Sequence, residues 1–313
     1  MAAPGLMLQA VCACAATTAD YPNRPIRVVT GGVGGGSDFA ARLIAQGLTG
    51  RLGQLMVIDN RGSGMIPCEI VAQAPADGHT LLLFANALWI APLMHKTQFD
   101  PMKDFAPITL AVTAPNILVV HPTLQARSVK ELIALAKARP GALNYSSSAA
   151  GASNHLAAEL FKTMAGVNIT RIPYNNGATQ MADLVAGQVQ LTFATGGTVM
   201  PHAKSGKLIA LAFTSAKPSQ IFPHLPTIAA AGLPGYESAG YFAVFAPTRT
   251  PSVILERLNR EIVHTLKEPD VREKFFNMGI EPVGSTPSEI TAIMSAEITR
   301  LGKVIRDAGI RAD

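Results

Sequence analysis

Charged residues are scarce in this chain. They make up 15% of its 313 residues, whereas hydrophobic residues make up 48%. A chain of this length and composition can bury a sizeable core and is not expected to be disordered. The formal net charge of +5 is spread along the chain, without a run of basic residues or interleaved aromatic residues. This pattern argues against a nucleic-acid-binding protein.

Cysteine is also scarce. Two of the three cysteines, Cys12 and Cys14, lie in an uncharged N-terminal segment, residues 1–19. The apolar part of this segment is too short to cross a bilayer, and its small residues before Asp20 suit cleavage, so we interpret it as a secretory signal peptide. The segment lacks the Lys or Arg residues that usually begin a signal peptide. The alternatives are a lipoprotein anchor at Cys12 and a cytosolic tail. After cleavage only Cys68 remains, which excludes a disulfide framework and a cysteine metal cluster.

Motifs of familiar enzyme classes are missing. The sequence contains no G-x-S-x-G nucleophile elbow, and its seven histidines include no H-E-x-x-H pair. No pair of carboxylates flanks a shared loop. These absences favour a binding protein, and an α/β enzyme acting on a carboxylate is the alternative.

Strand-like and helix-like segments alternate along almost the whole chain, which predicts an α/β fold with largely parallel sheets. The order strand, polar loop, helix occurs twice, at residues 26–48 and 143–165. Ligands of open α/β sheets lie at the carboxyl ends of strands, so two such loops in two lobes would face each other across a cleft. Three helices are predicted near the C-terminus, at 251–267, 269–278 and 287–308. No element is predicted between the strands 189–194 and 208–214.

The glycine-rich stretch 30–38 (TGGVGGGSD) lies between the first predicted strand and the first helix. Free N–H groups and the positive end of the helix dipole favour an anion at such a position. The third position of a dinucleotide fingerprint falls on Ser37 rather than glycine, and no lysine is present for a Walker loop. A small carboxylate is the favoured ligand, with a nucleotide or a purely structural turn as alternatives.

Several stretches, taken in order, resemble the solute receptors of tripartite tricarboxylate transporters, the Bug family. They are YPNRPIRVV (21–29), the glycine loop, APADGHTLLL (74–83), FDPMKDFAPI (99–108), NILVVHP (116–122), SSSAAGASNHLAAELF (146–161), IPYNNGATQMADLVAGQVQLTF (172–193) and LPTIAAAGLPGYE (225–237). The resemblance extends from residue 21 to the C-terminus.

The resemblance implies a two-lobed periplasmic-binding-protein (type II) fold, each lobe a mainly parallel sheet flanked by helices. Residues 20–122 and 237–313 would form lobe 1 and residues 123–236 lobe 2, with 116–122 and 239–247 crossing between them. The implied protein is a periplasmic receptor without catalytic activity, cofactor or metal. As a monomer it would deliver a small organic carboxylate to the membrane subunits of a tripartite tricarboxylate transporter. A sensor receptor that feeds a signalling system is the alternative.

The resemblance also implies ligand contacts in both lobes. The candidate residues are Gly34, Gly35, Gly36, Ser37, Asp38, Asn86, Ser147, Ser148, Ser153, His155, Tyr174 and Thr195. For Asp38 we favour a role as a helix cap, and for His155 a hydrogen bond with backbone, over ligand contact. We expect Trp89 to be a core residue, and Arg42 and Arg61 to be structural.

Three positions depart from the family pattern. Gly31 and Gly32 stand where the family commonly has proline and an aromatic residue, which removes an aromatic from the pocket wall. Ala194 stands where the family often has aspartate. Without this acid, we expect a second ligand carboxylate to be repelled less strongly, or the pocket to be wider.

Overall fold

The computed structural model describes residues 21–34, 36–62, 64–148, 151–174 and 176–311. The predicted signal peptide and Gly35 lie outside these residues. The strands within them are β1 (Ile26–Thr30), β2 (Met56–Asn60), β3 (Thr80–Ala85), β4 (Phe105–Val120), β5 (Asn144–Ser147), β6 (Thr170–Pro173), β7 (Leu191–Thr195), β8 (Ile209–Phe213), β9 (Ala239–Pro247) and β10 (Glu281–Pro282). The helices are α1 (Gly36–Leu52), α2 (Ile66–Ala72), α3 (Ala87–Ile90), α4 (Val129–Ala138), α5 (Ser153–Ala165), α6 (Gly177–Val185), α7 (Gly196–Lys204), α8 (Ser252–Lys267), α9 (Pro269–Asn277) and α10 (Pro287–Asp307).

These strands follow one curled path, in the order β2-β1-β3-β9-β4-β7-β5-β6, and β10 and β8 pair with β4 beside it. The neighbours of β1 and of β5 are parallel to them, as alternating strands and helices predict. Both β9 and β4 run antiparallel to their partners. The predicted α/β two-lobed fold is therefore confirmed, with antiparallel strands in the middle of the path.

The 16-residue strand β4 pairs with different strands along its two parts. Its first part, Phe105–Pro115, pairs with β9. Its second part, Asn116–Val120, pairs with β7 and β8. The apolar segments 107–112 and 116–120 are each long enough for a strand, and the structure joins them into one strand that changes partners at Pro115 and Asn116. The lobe boundaries near residues 122 and 237 stay a prediction.

Two helices begin with side-chain caps of different kinds. The order Ser128-x-x-Glu131 is typical of a capping box at the start of α4. Ser128 does accept a hydrogen bond from the Glu131 N–H (3.2 Å), but the Glu131 carboxylate accepts from the Arg127 N–H rather than closing the box. A complete capping box begins α10 instead, between Thr286 and Glu289. The three predicted C-terminal helices are present as α8, α9 and α10.

Helix α7 was not predicted from the sequence. It begins with Gly196 and Gly197 and contains Pro201, residues that normally mark loops or end helices. Its buried face packs on the second part of β4, where Val199 joins a cluster that includes Ile117. Packing against the sheet thus outweighs the poor intrinsic propensity of this segment.

The largest core cluster extends over distant parts of the chain, because α10 packs against both α3 and α5. Trp89 lies in this core, fully buried, and donates a 3.0 Å hydrogen bond to Glu297 on α10. None of the described helices is both long enough and apolar enough to cross a membrane.

Two glycines of α1 offer a matched test of helix packing. A Cβ at Gly47 would lie 2.4 Å from Thr265 Cγ2 on α8, whereas a Cβ at Gly50 would have no heavy atom within 4 Å. Gly47→Ala is expected to lower the free energy of unfolding by about 1–3 kcal/mol through overpacking. Gly50→Ala is expected to raise it by up to about 1 kcal/mol through helix propensity. Urea denaturation followed by circular dichroism measures both, and shifts of the same sign would contradict this packing.

Candidate functional site

A cavity of about 500 Å³ opens at the carboxyl ends of β5, β6 and β7. Its walls come from the residue after β5, from the end of β7, from helices α5, α6 and α7, and from the point where β4 changes partners. The lining residues are Asn116, Ser148, Ser153, Asn154, Gly177, Ala178, Gln180, Met181, Ala194, Thr195, Thr198 and His202. This is the edge of the sheet at which α/β proteins bind ligands.

Three helices begin at the cavity. The N-cap positions of α5 and α7, Ala152 and Thr195, provide no side-chain hydrogen bond to their helices, whereas Asn176 caps α6 by accepting from Ala178 N–H (2.8 Å) and Thr179 N–H (3.2 Å). The first N–H groups of α5 and α7 therefore lack side-chain acceptors at their N-caps. Together with the helix dipoles they make this region favourable for an anion.

Asn116 lies at the partner change of β4 and is 2% exposed. Its backbone is held by Thr214: the Asn116 N–H donates to Thr214 Oγ1 (2.9 Å), and the Asn116 carbonyl accepts from the Thr214 N–H (2.9 Å). The side-chain Nδ2 of Asn116 has no hydrogen-bond partner among the described residues. A buried amide donor without a partner costs free energy unless a ligand or water satisfies it.

Other polar groups of the wall are already paired. Gln180 Nε2 donates to Ser146 Oγ (3.2 Å) and Thr192 Oγ1 (3.1 Å), which fixes α6 against the strands. Ser148 Oγ donates to Asn154 Oδ1 (2.9 Å), so the Asn154 amide nitrogen is left to act as a donor.

Arg171 on β6 holds the end of β5 and the residue after it through two hydrogen bonds. Its Nε donates to Ser147 Oγ and its Nη2 to the Ser148 carbonyl, both at 2.8 Å. Ser147 is fully buried and is not part of the cavity wall. The predicted ligand residue Ser148 thus lines the cavity, while Ser147 lies in the layer that positions it.

His155 also lies behind the wall. Its Nδ1 accepts a hydrogen bond from the Gly151 N–H (3.0 Å), which is the backbone role favoured from the sequence. Burial, with a further contribution from the Arg171 cation, lowers the pKa of His155 to about 4. The imidazole is therefore neutral near pH 7 and carries its proton on Nε2.

The described part of the glycine loop is organised around Asp38 and does not line this cavity. The Asp38 carboxylate accepts from the Gly34 N–H (2.9 Å) and from Asn60 Nδ2 (2.9 Å), and it pairs with Arg42 (2.8 Å). Burial alone would raise the pKa of Asp38, but these partners hold it below its ordinary value. Asp38 therefore does not cap a free N–H group of α1: it lies in the first turn of the helix and holds the loop that precedes it, and Arg42 is structural.

The neighbouring residues of this loop are close-packed. A Cβ at Gly36 would lie 2.8 Å from the Phe242 ring, and one at Gly31 would lie 2.9 Å from Ser37 Oγ. Ser37 is buried beneath the loop. Arg61 pairs with Asp59 at 3.0 Å, which is a structural role.

Asn86 and Tyr174 also lie outside the cavity wall. Asn86 Nδ2 donates to the Ala239 carbonyl (3.3 Å) and to Glu297 Oε2 (3.2 Å), and burial raises the pKa of Glu297 to about 7. The Tyr174 hydroxyl donates to Asp183 (2.7 Å), and burial followed by this hydrogen bond raises the pKa of Tyr174 to about 12. Their ligand roles stay predictions.

Of the predicted ligand residues, the structure brings Ser148, Ser153 and Thr195 together in one wall. The prediction missed Asn116, Gln180 and His202. In the sequence, Asn116 begins an otherwise apolar segment and gives no sign of a binding role. Gln180 and His202 look in the sequence like ordinary surface residues of helices. Among the described residues no group of three His, Cys, Asp or Glu side chains is placed to hold a metal ion.

A family model described as "Tripartite tricarboxylate transporter family receptor" matches residues 40–310. Protein BugT of Bordetella pertussis is 35% identical over 318 residues, which cover 99% of this chain and 98% of that protein. These matches confirm the resemblance drawn from the sequence.

Two solved structures share the fold and contain ligands. The Rhodopseudomonas palustris protein Rpa4515 with adipate is 39% identical and has a TM-score of 0.76, covering 93% of this chain and 99% of its own. MatC from the same species, with bound malate, is 27% identical and has a TM-score of 0.71, covering 91% of this chain and 100% of its own. Both ligands are small dicarboxylates.

Asp38→Asn tests the organisation of the glycine loop. Because the folded-state pKa of Asp38 is depressed, its charge stabilises the fold above the pKa of the unfolded chain, and this stabilisation is lost as the pH falls through the folded-state value. The variant is expected to lose about 1–3 kcal/mol of unfolding free energy at pH 7. The deficit should shrink below about pH 4. Denaturation at several pH values measures it, with the exposed Asp270→Asn as control. A deficit that does not change with pH would contradict this role.

Proposed function

The chain belongs to the tripartite tricarboxylate transporter family of receptors, and we propose that it captures a small organic carboxylate in the cavity at the ends of β5, β6 and β7. The proposal rests on Asn116, whose buried amide donor has no partner among the described residues. A ligand carboxylate would satisfy this donor. The adipate and malate complexes of relatives support the choice of ligand class.

The wall around Asn116 suits an anion that must be released again. The lining residues include no Lys, Arg, Asp or Glu, so neutral donors and helix dipoles would hold the carboxylate. A bidentate arginine would hold it more tightly and in a fixed geometry. In our proposal Ser148, Ser153 and Thr195 surround the carboxylate in lobe 2. The glycine loop, including Gly34, Gly36 and Ser37, approaches from lobe 1 when the cleft closes.

In the cell, the receptor would act outside the cytoplasmic membrane. The N-terminal segment would direct its export. In the periplasm the receptor would bind its ligand and deliver it, chemically unchanged, to the membrane subunits of a transporter. Lobe 1 would comprise residues 20–122 and 237–313, and lobe 2 would comprise residues 123–236. A strand shared between the lobes suits this role, because ligand bound at Asn116 contacts the point where the chain passes from one lobe to the other.

Binding is tested with the purified mature chain and a series of mono- and dicarboxylates. At a hundred times its dissociation constant, a bound ligand should stabilise the fold by roughly 2.7 kcal/mol, which a thermal shift detects. Calorimetry should give one ligand per chain, and NMR should recover the ligand unaltered. A shift with an uncharged solute only, or with no solute, would contradict the proposal.

Asn116→Asp tests the observation on which the proposal rests. The change keeps the side-chain shape, replaces the Nδ2 donor with a carboxylate oxygen and adds a negative charge. Carboxylate affinity is expected to fall at least about a hundredfold, through the lost donor and the repulsion.

Asn277→Asp is the matched control, the same change at an exposed position at the end of α9. Comparing melting temperatures without ligand separates a loss of binding from a loss of folding. Unchanged affinity in Asn116→Asp would place the carboxylate elsewhere.

A further inference from the structure

The cavity extends along α7 beyond the helix starts. Thr195, Thr198 and His202 all line it. Their spacing of three and four residues puts them on one face of the helix. Seven residues of α-helix span about 10 Å, so His202 lies two turns from the end where Asn116 contacts the cavity. The cavity therefore has a second end, distant from the proposed carboxylate position.

The walls between these two ends are largely apolar. Met181 and Ala178 on α6 line the cavity, as does Ala194, the last residue but one of β7. Gln180, which also lines the cavity from α6, donates its amide hydrogens to Ser146 and Thr192 rather than into the cavity. A short hydrocarbon chain, unlike a sugar or an amino acid, matches such walls.

His202 is the polar group at the far end. It is half-buried, and neither ring nitrogen makes a hydrogen bond with another described residue. In either protonation state the imidazole can donate one hydrogen bond. A second carboxylate at this end would meet no acidic side chain, because the cavity lining contains none.

We propose that His202 is a specificity-determining residue that binds the distal carboxylate of an α,ω-dicarboxylate, whose first carboxylate lies at Asn116. This rests on the proposed function, and it adds the second contact point and the residue that provides it. The ligand would lie along α7 with its hydrocarbon chain against Met181. A monocarboxylate of equal length would occupy the same position without contacting His202.

The test compares chain-length-matched acids by calorimetry: succinate with butyrate, adipate with hexanoate, and suberate with octanoate. For at least one pair, the wild-type chain is expected to bind the dicarboxylate about tenfold or more tightly than the monocarboxylate. His202→Leu should remove this preference while leaving monocarboxylate affinity within about twofold. His202→Gln retains a donor and should restore part of the preference. His264→Leu, at an exposed position on α8, is the control.

Each result has a distinct meaning. If the wild-type chain binds none of the acids, the proposed function itself fails. If it binds matched acids equally, or if His202→Leu weakens both acids of a pair to the same extent, the role of His202 is overturned while carboxylate binding stands. Melting temperatures without ligand show whether each variant is folded.

Discussion

The hydrogen bonds between Thr214 and Asn116 are the interaction on which the candidate site depends. They hold β4 at the residue where it changes partners. The Ser238 N–H donates to the Thr214 carbonyl (2.8 Å), so the chain returning toward β9 is tied to the same point. In the lobe division that we propose, both crossings between the lobes meet here, so a ligand that binds Asn116 would act on the position about which the lobes would move.

The anion site that we propose in the middle section of the chain has no Lys, Arg, Asp or Glu in its lining. Helix starts and amide donors make up the proposed binding wall, and the Arg171 cation holds Ser147 and Ser148 in place. Neutral donors bind a carboxylate less tightly than a guanidinium does, which suits a receptor that must give up its ligand. The first lobe follows a different plan, since its glycine loop is shaped around the internal carboxylate of Asp38.

Much of the fold could be predicted from local patterns. Apolar runs such as residues 26–29 and 80–85 become buried strands, and the amphipathic C-terminal helices begin and end near the expected residues. Helix α7 could not be predicted, since two glycines and a proline oppose a helix locally and only packing on β4 selects it. The partner change within β4 was equally hidden, because both of its parts are apolar and extended.

The sequence by itself determined the fold class, the family, and the position of polar loops after β1 and β5, because these depend on order and periodicity along the chain. Only the tertiary structure decided which polar residues share one cavity. Asn116, Ser148 and His202 are separated by 32 and 54 residues, and the packing of strands and helices brings them to one surface. It also decided that Asp38 and His155 bond to backbone N–H groups, since hydrogen-bond partners are set by distances in three dimensions.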